Sequence, residues 1–164
     1  MSLSDIKLGL KRWMAGELGF TVIFADQDGP QPIPKPYATI RLDTQAAVGG
    51  EEQGAVNGGG IVTVKGHRRR TAMLEIIGPN ALSHMETIRD SLGKVTVLGT
   101  LYGTCGVSVI DSGTIQNLTQ LLETKHEERA SLDLILAYAT EIEDEVGVIE
   151  HVEINENIID IETP

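Results

Sequence analysis

EERASLDLILAYATEIEDEVGVIEHVEI, residues 127–154, decides the fold. After a charged opening, the large residues Leu132, Leu134, Leu136 and Tyr138 fall at every second position. Period-two alternation rich in large apolar side chains marks a half-buried strand. The same letters fit a buried helix, but a tight acidic-Gly turn at Glu143–Gly147 and a second alternating run at Ile149, Val152 and Ile154 favour a hairpin. The strand is expected at the centre of the sheet, its buried face holding the subunit and its charged ends free to meet neighbours.

Outward from that stretch, charge is the next informative feature. The chain of 164 residues carries a formal −11, and its last Lys or Arg is Arg129. Everything beyond is acidic, from Asp133 through Glu141, Glu143, Asp144 and Glu145 to Glu162. Such a surface does not bind free DNA by neutralising phosphates. It is either a solvated face, a wall that repels nucleic acid or a dock for a basic partner. Aromatics are only 4% of the chain, which argues against stacking platforms for single strands. Hydrophobic residues at 41% are enough for one packed domain, expected over residues 1–154, with 155–164 as an acidic tail. That tail keeps Ile158, Ile159 and Ile161, and is expected either to add an edge strand, to a neighbouring subunit for example, or to be loose.

Toward the N-terminus, Ile6, Leu10, Trp13 and Met14 share one face of a helix over Ser4–Leu18, capped by Ser2 or Ser4 and ended by Gly19. Short strands follow at Thr21–Ala25 and Tyr37–Asp43, separated by a stiff connection with Pro30, Pro32, Pro34 and Pro36. The segment at about 47–60 holds six glycines from Gly49 to Gly60 and reads as a mobile arm. It lacks the Gly-Lys-Ser/Thr of a phosphate loop, and Glu51 and Glu52 would repel phosphate. Gly60–Lys65 and Arg70–Ile77 read as two strands joined by Gly66-His67-Arg68-Arg69, a link that gathers Arg68, Arg69 and Arg70 near Lys65. Pairing of these cations with carboxylates, within the chain or between proteins, is favoured over phosphate contact.

A second helix is expected over Ala81–Leu92, with Leu82, Met85, Ile88 or Arg89, and Leu92 inward. Lys94–Gly103 is readable as strand, from its β-branched residues, or as helical turns. Gly106–Asp111 is a short strand, and Thr114–Thr124 an irregular connection or short turn.

No catalytic, cofactor or metal constellation emerges. The histidines His67, His84, His126 and His151 stand without a second ligand at metal spacing. Cys105 is the only cysteine, so no intramolecular disulfide or CxxC site exists, and a reducing, intracellular setting is expected. It reads as a small core residue. No run approaches the roughly 18–20 apolar residues of a membrane span, and no secretory signal opens the chain. The residues thus point to a structural or interaction protein.

The C-terminal half resembles the tail-terminator or neck-terminator proteins of long-tailed bacteriophages. The resemblance is carried by Val107–Asp111, Ile115, Leu118-Thr119-x-Leu121-Leu122, then Glu127/Glu128-Arg129-Ala130-Ser131-Leu132-Asp133-Leu134, and Gly147-Val148-Ile149-Glu150-x-Val152. Pro36-Tyr37-Ala38-Thr39-Ile40 adds to it. It implies an α+β subunit, a mixed and largely antiparallel sheet flanked by two or three helices, forming a ring of six that caps the tail tube and meets the head connector. DNA passes through the centre without specific binding, and no membrane is involved. The subunit would be assembled in the host bacterial cytoplasm and reside in the virion. Arg68, Arg69, Arg70, Glu51, Glu52, Glu127, Arg129, Glu143, Asp144 and Glu145 are the expected interface residues. Two alternatives stay open: another head–tail joining or tail tube protein, and a small-ligand-binding α+β domain or enzyme with a pocket around His84 or Cys105.

Overall fold

The computed structural model describes residues 2–26, 34–122 and 125–147. The chain begins with helix α1 (Leu3–Leu18), whose Ser2 and Asp5 form a reciprocal capping box and whose Gly19 closes it in the left-handed region at φ 70°. Strands β1 (Val22–Phe24) and β2 (Tyr37–Ala47) pair in parallel. A two-residue strand β3 (Glu52–Gln53) precedes the long β4 (Ile61–Ile77). Helices α2 (Ala81–Ser91) and α3 (Val95–Cys105) follow, then β5 (Ser108–Ser112) and β6 (Gln116–Asn117). A small hairpin of β7 (Gln120–Leu122) and β8 (Lys125–Glu127) leads into the long β9 (Arg129–Glu145).

The main sheet runs β1-β2-β4-β9-β5, with β3 beside β4 and β6 beside β9. All its pairings except β1–β2 are antiparallel. The fold is therefore α+β, with a mixed, mostly antiparallel sheet and three helices. The strand expected at the centre lies beside β4 in the interior of the sheet. Ala130, Leu132, Leu134 and Leu136 of β9 are buried, opposite Ile76, Leu74, Ala72 and Arg70 of β4.

This face, with Ala38 and Ile40 of β2, is covered by the helices. Ile6, Leu10 and Met14 of α1, Met85 and Ile88 of α2, and Leu101 of α3 complete one continuous core. Each fully buried side chain of this size stabilises by about 1.5–3 kcal/mol relative to exposure, so the helix-covered half of the sheet is where the fold is held.

Three expectations change, and one open alternative is decided. The Gly66-His67-Arg68-Arg69 link is not a turn: β4 is continuous for 17 residues, and its register with β9 is unbroken from Ile61↔Glu145 to Ile77↔Arg129. Pairing on both sides overrides the local turn signal, and the bare backbone of Gly66 leaves room for the Arg68 and Glu51 side chains, which a Cβ there would meet. Lys94–Gly103 is helical. Val97, Leu101 and Cys105 recur at four-residue spacing on its buried face, and Gly106 ends it at φ 57°. Leu82 points outward, because the buried stripe of α2 is Ala81, Met85, Ile88 and Ser91. The Thr114–Thr124 stretch holds β6 and β7 rather than a helical turn.

The second run of the expected hairpin, Ile149–Ile154, and the acidic tail lie outside the described residues, as does most of the proline-rich connection. The glycine-rich segment contains β3 and is tied across β4 by Gly54 N–H to Thr63 O (2.9 Å) and Asn57 N–H to Ile61 O (2.9 Å).

Candidate functional site

Seventeen residues at about 3.3 Å each make β4 and β9 roughly 56 Å long, whereas the helices span about 16–24 Å. The helix-covered core ends near Ala72 and Leu136. Beyond it, residues 61–70 of β4 and 136–145 of β9 continue as a ribbon, joined on one side by the end of β2 and by β3. This arm carries most of the charged residues singled out in the sequence.

Charge is graded along it. Near the base, Arg68 and Arg70 project on the helix side of the sheet and Arg69 on the opposite side, as strand alternation requires. The three guanidiniums therefore do not form one patch. Arg68 pairs with Glu51 at 2.6 Å. Arg70 donates to Asp43 O (3.0 Å), to Gln45 Oε1 and to Tyr138 Oη (3.4 Å), fastening the arm to β2 and β9. Arg69 is exposed and makes no ion pair among the described residues.

Farther out, Lys65 and Glu141 pair at 2.9 Å across β4 and β9. The hydrogen bond to Glu141, then its charge, raises the Lys65 pKa. At the tip, Glu143, Asp144 and Glu145 lie opposite Thr63, Val62 and Ile61, with no cationic partner among the described residues. Glu52 lies across from Lys65 on the other side of β4.

Glu127 and Arg129 are elsewhere, at the opposite end of β9, roughly 50 Å from Glu145 by strand rise. There Glu127 bridges Lys35 and Arg129, and Arg129 reaches Glu75 at 3.8 Å. The ten candidate residues thus divide between two ends of one strand. The proximity of Glu127 and Glu145 in a sequence window says nothing about this separation, since an extended strand maximises it.

The residues missed by sequence reasoning are apolar. Val95, Leu98 and Tyr102, spaced by three and four on α3, are 84%, 39% and 67% exposed, and Ile110 on β5 is 46% exposed. Tyr102 and Ile110 line an open groove of about 810 Å³ at the base of the arm, with His67, Arg69, Ala139 and Glu141 on the other wall. The signal was present: VTVLGTLYGTC is apolar around most of its circumference, so a helix there must leave some of that surface to a partner.

The groove borders a strand edge that is unpaired among the described residues. Arg129 O and Asp133 O accept from Leu118 N–H and Gly113 N–H (both 2.8 Å) on the β6–β5 side. Val146 N–H instead turns to Gly60 O on the β4 side. By this parity, residues 139, 141, 143 and 145 aim their N–H and C=O groups away from β4. The β5 pairing ends at Ala137, so no described strand meets them.

Neither sequence candidate for chemistry sits in this groove. Cys105 is buried, donates to Leu101 O at 3.0 Å, and has its thiol pKa raised by burial. His84 packs edge-on against Phe20, ring centroids 5.1 Å apart. Among the described residues there is no group of His, Cys, Asp and Glu able to hold a metal, and no helix long and apolar enough to cross a membrane.

A family model described as phage neck terminator protein matches residues 4–161. The chain belongs to the phage neck terminator family. The match takes in every described helix and strand except the first helical residue. The family is a structural one of the phage neck and tail, which accords with a molecule whose conspicuous surface is an arm and a groove. No curated protein matches the chain.

Proposed function

We propose that the protein is a tail or neck terminator that assembles as a ring, six copies being the expected number, closes the end of the tail tube and presents a surface to the head connector. DNA passes through the middle of the ring. The observation that carries this reading is the family match over residues 4–161. The arm supports it independently.

A closed ring joins two different patches of the same subunit. The arm supplies two such patches on one ribbon: a carboxylate-rich tip at Glu143, Asp144 and Glu145, and a base that exposes the cationic Arg69. Tip-to-base contact would relieve the repulsion among copies that each carry −11. Exposed ion pairs contribute only ~0–1 kcal/mol each, so charge sets register here and apolar contact at Tyr102 and Ile110 supplies affinity. Arg68 and Arg70 serve inside the subunit, bracing the arm. Carboxylates left over would keep the channel wall from retaining DNA.

The test is native mass spectrometry with negative-stain imaging of the purified chain, alone and with the tail tube protein. A terminator gives single rings that halt tube growth at a fixed length. A tube subunit polymerises by itself into long cylinders, and a joining protein leaves tube length unchanged. Either outcome would replace this reading.

A further inference from the structure

The described chain ends at the tip of the arm, where Gly147 N–H donates to Gly60 O at 3.0 Å. From there residues 148–164 continue with Glu150, Glu153, Glu156, Asp160 and Glu162, with Val152, Ile154, Ile158, Ile159 and Ile161, and with no Lys or Arg. The family match runs through residue 161, so most of this segment belongs to what the family model describes. Its composition complements one described surface. The groove at the base of the arm offers exposed apolar side chains, Tyr102 and Ile110, beside His67 and the cationic Arg69. Along one side runs the edge of β9 at Ala139 and Glu141, whose backbone donors and acceptors meet no described strand.

We propose that this groove receives the 148–161 segment of a second copy, main chain against the edge at residues 139–141, aliphatic side chains on Tyr102 and Ile110, and carboxylates toward Arg69 and His67.

Charge decides between a second copy and the same chain. To reach the groove from its own tip, the segment would run back along β9, setting Glu150 and Glu153 beside Glu141, Glu143 and Glu145. Like charges side by side on a sheet destabilise it. A segment arriving from a neighbour meets that edge only at residues 139–141, where Glu141 is the one carboxylate beside it. The proposal shares with the ring reading only the need for a second copy.

The test uses full-length chains. One preparation carries Ile110→Cys and another Val152→Cys, and the two are mixed under mild oxidation. Cys105, buried against Gly9, gives the wild-type baseline. The expected product is a covalent pair of one chain of each kind, well above either preparation alone. Arg69→Glu in the groove chain should lower its yield at least ten-fold at low salt, and excess synthetic 148–164 peptide should suppress it.

Absence of the mixed product overturns the proposal. So does a chain carrying both cysteines that closes on itself as a monomer at every dilution. Imaging in parallel separates the two readings. Rings without the cross-link remove the groove assignment and leave the terminator, whereas the cross-link in long cylinders removes the terminator and leaves the groove.

Discussion

Trp13 Nε1 donates to Ser91 Oγ at 3.0 Å, and Ser91 in turn donates to Ile88 O at 2.7 Å, so the only tryptophan ties α1 to the last turn of α2 inside the core. Ser91 is 1% exposed. Ser91→Ala leaves the indole N–H buried without an acceptor and should cost roughly 1–3 kcal/mol, the usual penalty for such a group. Urea unfolding followed by Trp13 fluorescence measures it. A loss no larger than that of an exposed serine would show that another acceptor replaces Ser91.

Gly9 of α1 packs against Cys105 of α3. A Cβ there would lie 2.5 Å from Cys105 Sγ and 3.1 Å from its Cβ. Gly9→Ala should therefore destabilise by about 1–3 kcal/mol through overpacking, despite alanine's better helix propensity. Cys105→Ala should recover part of that loss in the double variant, a non-additivity that thermal melts of the four proteins would reveal. Additive costs would place the strain elsewhere.

The two halves of β9 should respond oppositely to truncation. Leu134 is fully buried, and Leu134→Ala should cost about 2–5 kcal/mol. Ile142, on the arm and 65% exposed, should tolerate alanine within about 0.5 kcal/mol. If arms meet neighbours, that second substitution should weaken assembly while leaving monomer stability intact, as sedimentation at several concentrations would report.

The acid limb of stability has identified contributors. Hydrogen bonds from the Ser2 backbone and hydroxyl hold Asp5 below its ordinary pKa, and the Lys7 ammonium does the same for Asp26. In both cases the unfolded chain takes up its proton first. The stabilisation is present above about pH 4, the ordinary Asp value, and is lost as pH falls through the lower folded pKa. Asp5→Asn and Asp26→Asn should each flatten that decline slightly, both sites being exposed, and leave stability at pH 7 to 9 governed by the lost contacts alone. The raised Lys65 acts at the other end: its contribution persists below about pH 10 and disappears only as pH rises through its folded value. Unfolding curves across pH 2 to 11 check all three signs.

What was legible in the sequence was whatever its local pattern shared with the tertiary structure. Leu132, Leu134 and Leu136 alternate in sequence and in burial, and Ser2 and Gly19 cap α1 as their chemistry dictates. Two elements were obscured because distant pairing overrides local preference. Gly66-His67 resembles a turn until β9 fixes both halves of β4 in one register. Val95-Thr96-Val97 resembles a strand until α1 and the core select a helix, in which Thr100 and Thr104 satisfy their hydroxyls on Thr96 O (2.7 Å) and Thr100 O (2.6 Å). The candidate surface was legible as charge types but not as geometry. Consecutive arginines fall on alternate faces of a strand, so Arg68 and Arg70 brace the arm while Arg69 faces outward. The groove beside Arg69 depends on Tyr102 and Ile110, which meet it only through the fold.

The unbroken register of β4 and β9 also bears on how load passes through the molecule. The chain leaves β9 at the arm's tip, while the strand's other end is anchored beneath the helices. A pull on that exit along the strand would drag β9 lengthwise past β4, straining the many cross-strand bonds together instead of peeling them one at a time. Sideways tension would open the same ladder like a zipper. The arm is thus strong along its own axis and weak across it, and a tail held by a neighbouring subunit would transmit force along the strong direction.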